Sequence, residues 1–172
     1  MLLYLEMMEG PEERSRFEQL YTRWRGLMFH AARNVLGNDQ DAEDAVHEAF
    51  LIAVQNMGRL EEADSPRTKV FLLTVTEHKA IDLYRRKAKV PQGEYLEELQ
   101  GMTAEYQGED GVAACLLKLP ARYRAFLLLK YDQGYTNREL EGIFGLSAPA
   151  VRKLDQRARD RLEQICKEEG IL

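Results

Sequence analysis

The sequence predicts an all-α protein of two small helical domains joined by an acidic linker, with a helix-turn-helix as the C-terminal domain. Apolar residues recur at helical spacing along most of the chain, and no segment alternates apolar and polar residues as a half-buried strand does. Between Val90 and Gly111 the helical period is lost, while glycines and acidic residues accumulate. We therefore place the first domain at residues 1–90, the linker at 91–111 and the second domain at 112–172.

The predicted helices are bounded by residues that start or stop helices. We expect helices near residues 11–36, 41–57, 67–87, 111–118 and 121–133, followed by a closely spaced pair within 136–165. Turn residues separate them at Gly37-Asn38, at 61–66 and at Gly134-Tyr135.

The second predicted helix has an apolar side and a polar side. The apolar side holds Ala42, Val46, Ala49, Phe50, Ala53 and Met57. The polar side holds Asp44, His47, Glu48 and Gln55, with Leu51 at its centre. This leucine is either a solitary exposed residue or a point at which another protein docks.

Carboxylates and a histidine near the start of this helix invite comparison with a helical metal site. Such a site needs matching ligands from other helices, and neither His30 nor His78 belongs to an E-x-x-H pattern. Acids in a first turn also complement the positive end of the helix dipole. We therefore predict no metal and no cofactor.

The third predicted helix carries a polar strip that leads to a basic end. Thr74, His78, Asp82 and Arg85 recur at helical spacing, and Arg85-Arg86-Lys87-Ala88-Lys89 follows. Hydrogen-bonding groups beside cations suit melted or single-stranded DNA. The alternative is a basic last turn that only complements the helix dipole.

The closely spaced pair predicts a helix-turn-helix. Thr136 and Glu139 form a capping-box pattern, Gly145 ends the first helix, and Ser147 caps the second. An apolar stripe on the second helix comprises Ala150, Val151, Leu154, Ala158, Leu162 and Ile165. The opposite face presents residues that suit DNA recognition, Arg152, Lys153 and Gln156. An ordinary helical hairpin with a solvated face is the alternative.

Composition limits the remaining function classes. The net charge of −5 argues against a protein that coats nucleic acid through bulk electrostatics. No apolar run is long enough to span a membrane, and the first residues lack the features of a secretory signal, so we expect a cytoplasmic protein without membrane insertion. Cys115 and Cys166 show no disulfide or zinc pattern, and we expect both to be buried.

Motifs in both halves, in this order, resemble the extracytoplasmic-function (ECF) group of bacterial sigma factors, within the sigma-70 family. The resemblance covers roughly residues 15–90 and 112–166. In the first half it rests on D-A-E-D-A-V-H-E-A-F at 41–50 and A-I-D-L-Y-R-R at 80–86. In the second it rests on L-P-A-R-Y-R at 119–124 and on the helix-turn-helix. It implies a transcription initiation factor and not an enzyme, with core RNA polymerase, promoter DNA and an anti-sigma factor as partners.

The resemblance also implies roles for individual residues. The polymerase clamp helices would dock on Asp44, His47, Glu48, Leu51 and Gln55. The minus-ten element would contact Thr74, His78, Asp82, Arg85 and Arg86. The minus-thirty-five element would contact Ser147, Arg152, Lys153, Gln156 and Arg157. The linker would run toward the RNA exit path.

Some positions depart from the family pattern. Glu77-His78 stands where the family usually carries Arg-Asn, which predicts altered minus-ten recognition. Asp155 follows Leu154 where a basic residue usually precedes leucine, which predicts one positive charge fewer on the recognition helix. Three alternatives therefore stay open: a sigma-like polymerase-binding or helix-turn-helix regulator without promoter opening, a stand-alone repressor, and a metal-dependent helical hydrolase.

Overall fold

The computed structural model describes residues 1–89 and 111–172, apart from the side chains of Ala113 and Leu117. The chain divides into two compact units, Met1–Val90 and Pro91–Leu172, here called the N-terminal and C-terminal units. The described residues are helical with no strand, which confirms the predicted fold class. The linker predicted at 91–111 lies outside the described residues except for Gly111, which begins a helix.

The N-terminal unit is built from four α-helices. They are α1 (Leu2–Glu6), α2 (Pro11–Leu36), α3 (Asp39–Gln55) and α4 (Pro66–Ala88), with a 3₁₀ turn at Met57–Arg59. The Asn38 side chain accepts a hydrogen bond from the Asp41 backbone N–H at 2.9 Å, so α3 begins two residues earlier than predicted. Pro66 occupies the first turn of α4, where its missing N–H is not needed.

Helices α2, α3 and α4 pack on one another, and aromatic rings fill much of the space between α1, α2 and α3. The rings of Phe17 and Phe50 meet edge to face with centroids 5.7 Å apart, and Tyr21 lies 4.8 Å from Phe50. Tyr4 of α1 completes this cluster, at 5.4 Å from Phe17. The sequence did not predict α1, because five residues are too few to show a helical period.

The C-terminal unit contains four further α-helices in its described part. They are α5 (Gly111–Lys118), α6 (Ala121–Leu127), α7 (Asn137–Phe144) and α8 (Ala148–Glu168). The predicted helix at 121–133 is present, but its second half, Leu128–Asp132, is a π-helical turn. The Gln133 N–H donates to the Leu128 carbonyl at 2.9 Å across this wider turn.

The helix-turn-helix has the predicted caps. The Glu139 carboxylate accepts a hydrogen bond from the Thr136 backbone N–H at 2.7 Å, and the Thr136 hydroxyl accepts one from the Glu139 N–H at 3.3 Å. Gly145 has φ of 62°, a left-handed conformation that favours glycine and ends α7. Ser147 then caps α8, whose buried side includes Val151, Leu154, Ala158 and Ile165. Both cysteines are buried, as predicted.

Candidate functional site

The predicted docking residues form an outward face on α3. Asp44, Glu48 and Gln55 are exposed, while His47 and Leu51 are half-buried. The opposite side of the helix is buried, including Ala42, Ala49, Phe50 and Ala53. Leu51 therefore lies outside the core, between exposed polar residues. We call Asp44, His47, Glu48, Leu51 and Gln55 the α3 face.

One edge of the α3 face is occupied by α1. The Tyr4 hydroxyl and Nδ1 of His47 hydrogen-bond at 2.6 Å. Burial, with Tyr21 nearby, raises the pKa of Tyr4 to about 12, so its hydroxyl stays protonated at neutral pH. His47 is thus held by the protein itself, and Asp44, Glu48, Leu51 and Gln55 form the more accessible part of the face.

A shallow cavity connects the α3 face to α4. It measures about 260 Å³ and is lined by Asp44, Ala45, His47, Glu48, Lys79, Leu83 and Arg86. Carboxylates of α3 and cations of α4 therefore line one concavity. The sequence did not predict that residues assigned to polymerase docking lie beside residues assigned to DNA contact, because that proximity depends on how α3 packs on α4.

The polar strip predicted on α4 is not a continuous surface. Thr74 is 8% exposed and His78 only 2%, so in this folded state both side chains lie inside the N-terminal unit. Helix α4 packs against both α2 and α3, which cover most of its girth. Nε2 of His78 lies 3.3 Å from the Asp82 carboxylate, which holds the ring inside the unit. Asp82 and Arg85 are half-buried, and Arg86 is exposed.

Glu77 is also an interior residue. It is 6% exposed and interacts with other residues of the chain. The Glu77-His78 departure from the family pattern therefore changes the core of the N-terminal unit, and it does not place an acid on a DNA-facing surface.

The basic end of α4 has one internal ion pair. Lys87 pairs with the carboxylate of Asp41, which also accepts a hydrogen bond from the Asn38 amide at 2.8 Å. The Lys87 and Asn38 hydrogen bonds hold the pKa of Asp41 below its usual value. Arg85, Arg86 and Lys89 make no ion pair or side-chain hydrogen bond with another described residue. These three cations are available to an external partner.

The outer face of α8 presents free cations. Arg152, Lys153 and Arg157 are exposed, and none pairs with any residue in the described ranges. Gln156 donates to Asp160 at 2.7 Å and accepts from Arg159 at 3.0 Å, so its amide is oriented by neighbours. Ser147 accepts from the Ala150 N–H at 3.4 Å as the helix cap. We call Arg152, Lys153, Gln156 and Arg157 the α8 face.

Asp155 is an interior residue that connects α8 to the π-helical turn at Leu128–Asp132. It is 8% exposed, and its carboxylate lies 2.5 Å from Lys130 Nζ and accepts a hydrogen bond from the Tyr131 hydroxyl at 2.9 Å. Arg159 adds a contact at 3.3 Å. Asp155 therefore places no acidic side chain on the outer face of α8, although this position still lacks the basic residue that the family pattern carries. Sequence reasoning missed Lys130 and Tyr131, because the π-helical turn that carries them has no clear sequence signature.

Acid should weaken the C-terminal unit through Asp155. Burial alone would raise the pKa of this carboxyl, but the bonds from Lys130 and Tyr131 and the charges of Lys130 and Arg159 hold it below its usual value. A lowered pKa stabilises the folded state above the ordinary aspartate pKa of about 3.9, and that stabilisation is lost as the pH falls. We expect Asp155→Asn to lose less stability than the unaltered chain between about pH 5 and pH 2. Urea unfolding followed by circular dichroism measures this, and parallel pH dependences would contradict it.

Neither a metal-binding cluster nor a membrane-spanning helix occurs among the described residues. Within residues 1–89 and 111–172, no group of three or more His, Cys, Asp or Glu side chains is arranged to hold a metal ion. No helix in those ranges is both long enough and apolar enough to cross a membrane.

Both units match models of known protein families. Residues 20–90 match sigma-70 region 2, and residues 110–162 match sigma-70 region 4. The chain is 27% identical over 157 residues to the ECF RNA polymerase sigma factor SigM of Mycobacterium tuberculosis, covering 89% of this chain and 78% of SigM. It is 24% identical over 169 residues to the ECF sigma factor SigW of Bacillus subtilis, covering 88% of this chain and 89% of SigW.

A solved structure is also similar along most of its length. The sigma factor RpoE, in complex with the anti-sigma factor NepR from Bartonella quintana, is 20% identical with a TM-score of 0.39. The similarity covers 88% of this chain and 96% of RpoE.

Proposed function

The chain belongs to the ECF group of the sigma-70 family, and from this premise we propose which surfaces bind its partners. As a member of this family it is a transcription initiation factor that directs RNA polymerase to promoters, and it is not an enzyme. We assign core polymerase docking to the α3 face, minus-ten contact to the basic end of α4, and minus-thirty-five recognition to the α8 face.

The observation that carries the proposal is the unpaired basic face of α8 within a capped helix-turn-helix. The second helix of a helix-turn-helix enters the major groove of DNA. The residues near its N-terminus then contact base edges. Arg152, Lys153 and Gln156 lie in the first turns of α8. Arginine donates to guanine, glutamine can pair with adenine, and lysine contacts guanine or phosphate.

Minus-ten contact is assigned to fewer residues than the sequence indicated. Asp82, Arg85 and Arg86 remain, and Lys89 extends the set of free cations. Thr74 and His78 support these residues from inside the N-terminal unit. The burial of Glu77 and His78 also removes a reason to expect a factor that cannot open promoters.

The cellular setting follows from the family. We propose that the protein acts in the cytoplasm, where core polymerase and promoter DNA are found, and that an anti-sigma factor controls it. No described residue identifies that partner.

Reconstituted transcription tests the function. The purified chain is added to core polymerase with fragmented genomic DNA of its source organism, and the transcripts are sequenced. We expect initiation at a small set of sites that share an upstream element. A stable polymerase complex that yields no transcript would instead support a regulator without promoter-opening activity.

Arg152→Ala should weaken recognition of the promoters found in that experiment. Loss of one bidentate arginine–guanine contact corresponds to about 1–3 kcal/mol, or roughly a 5- to 100-fold loss of affinity for the preferred upstream element. Lys153→Ala should weaken binding to all sequences and reduce the dependence of affinity on salt. Fluorescence anisotropy of holoenzyme with labelled promoter fragments measures both effects.

Arg161→Ala is the matched control. Arg161 is exposed on the same helix, nine residues and about 14 Å farther along its axis. It should leave promoter affinity unchanged. An equal effect of Arg152→Ala on preferred and unrelated DNA would contradict base recognition by Arg152.

A further inference from the structure

Two cysteines that are distant in the sequence lie together in the C-terminal unit. Cys115 on α5 is 0% exposed and Cys166 near the end of α8 is 3% exposed. Helices α5 and α8 pack against each other, and Cys166 lies close enough to Cys115 to influence its pKa. They are the only cysteines in the chain. The helix-turn-helix lies between them in sequence, so a bond between their sulfurs would enclose it in a covalent loop.

Neighbouring contacts fix α5 against the end of α8. Lys118 and Glu169 form an ion pair with N and O 2.5 Å apart, three residues beyond Cys115 and Cys166 respectively. The Ile171 N–H donates to the Cys166 carbonyl at 2.9 Å, and the Ile171 side chain packs within 3.0 Å of the position where Gly111 would carry a Cβ. These contacts hold α5, on both sides of Cys115, to the residues that directly follow α8.

We propose that Cys115 and Cys166 are a redox modification site that forms an intramolecular disulfide when the protein meets a hydroperoxide. A structural zinc site requires four ligands, and no third His, Cys, Asp or Glu of the described ranges joins this pair. A pair of adjacent thiols has a simpler two-electron reaction available to it. The inference does not depend on promoter recognition.

The reaction with hydrogen peroxide balances without another reactant. One thiolate attacks a peroxide oxygen, the O–O bond breaks, and a sulfenic acid forms as hydroxide leaves and takes up a proton to become water. The second thiol attacks that sulfur, the S–O bond breaks, and a second water leaves with the thiol proton. The two sulfurs together lose two electrons, and the peroxide is reduced to two water molecules.

The surroundings of the pair make this reaction slow at neutral pH. Burial, together with the neighbouring Cys166 thiol, raises the pKa of Cys115 to about 11. Since the thiolate is the nucleophile, the rate should rise with pH and with any transient opening of α5 from α8. The site therefore responds to sustained oxidation and stays reduced under ordinary conditions.

The test uses the whole chain and hydrogen peroxide. After oxidation and removal of peroxide, we expect the intact mass of the monomer to fall by two hydrogens, and a protease digest to contain the peptides of Cys115 and Cys166 joined. The disulfide restricts the unfolded chain, so the thermal midpoint of the C-terminal unit should rise by at least about 5 °C and return after reduction. Cys115→Ser and Cys166→Ser are matched controls that should show neither change.

Other oxidation products would overturn the proposal. Disulfide-linked dimers, or sulfinic acid on one cysteine without a link to the other, would show that the sulfurs cannot reach each other. Two thiols still unmodified after prolonged peroxide treatment at pH 9 would show that the packing of α5 on α8 protects them completely.

Discussion

Leu51→Arg is expected to lower the affinity of the chain for core RNA polymerase by at least about thirtyfold, which corresponds to a hot-spot contribution of about 2 kcal/mol. Leu51 is half-buried at the centre of the α3 face, and exposed Glu48 and Gln55 lie one turn before it and after it. An apolar residue surrounded by polar residues contributes most to the binding free energy when a partner removes it from water. Arginine would instead place a charge in the middle of the contact, where desolvation opposes binding.

The experiment compares Leu51→Arg with Leu27→Arg. Leu27 is also a half-buried leucine of the N-terminal unit, but it belongs to α2 and not to the α3 face. Polymerase affinity is measured by fluorescence anisotropy, without promoter DNA. The emission of Trp24, the only tryptophan, confirms that both variants are folded in this unit. Unchanged binding by a folded Leu51→Arg variant would remove the α3 face from the polymerase interface.

Replacing the acids around Leu51 should reduce polymerase affinity less than Leu51→Arg does, and this smaller loss should depend on salt. Charges at the rim of an interface mainly affect the association rate, which salt reduces. If Glu48→Ala slows association at low salt and Leu51→Arg speeds dissociation, the two residues occupy the rim and the centre of one contact.

Asp155→Ala is expected to destabilise the C-terminal unit by about 2–4 kcal/mol at pH 7. Removing one member of a buried ion pair leaves its partner charge poorly solvated, which typically costs 3–5 kcal/mol. The effect should be about 1 kcal/mol smaller than that range, because the side chains of Lys130 and Arg159 retain 21% and 52% of their exposure and partly reach water. Tyr131 would also lose the acceptor of its hydroxyl.

Urea unfolding followed by circular dichroism and tyrosine fluorescence measures the loss. Asp160→Ala is the matched control on the same helix, since Asp160 is exposed, and its effect should stay within about 0.5 kcal/mol. Trp24 emission reports the N-terminal unit and should show an unchanged transition.

A double substitution separates the ion pair from general packing. Adding Lys130→Met to Asp155→Ala removes the partner charge as well, and we expect part of the lost stability to return. Two results would contradict this: additive losses of stability from the two substitutions, or a loss below about 1 kcal/mol for Asp155→Ala alone. In either case the ion pair of Asp155 contributes little, and α8 is held mainly by its apolar stripe.

Helix boundaries were predicted most successfully where capping residues define them. The predicted range 11–36 is the observed extent of α2, which begins at Pro11 and ends before the left-handed Gly37. Thr136, Gly145 and Ser147 occupy their predicted places in the helix-turn-helix. Caps and breakers act through hydrogen bonds and backbone angles within a few residues, so the local sequence contains the information that determines them.

The direction of polar side chains was predicted less well. His78 and Asp155 were both expected to influence DNA-facing surfaces, and both lie inside their units. Helical spacing shows which residues share a face, but it does not show how many sides of that helix are covered by neighbours. Paired polar residues can then be buried without an apolar pattern that marks them.

The sequence by itself determined the helical class, the helix-turn-helix, the outward position of Arg152 and Lys153, and the family resemblance. Each of these depends on local spacing, capping or motif order. The tertiary structure alone decided that α1 adjoins the α3 face, that Asp155 meets Lys130 and Tyr131, and that Cys115 meets Cys166. These contacts join residues far apart in the chain, and their geometry is set by how whole helices pack, which no local pattern specifies.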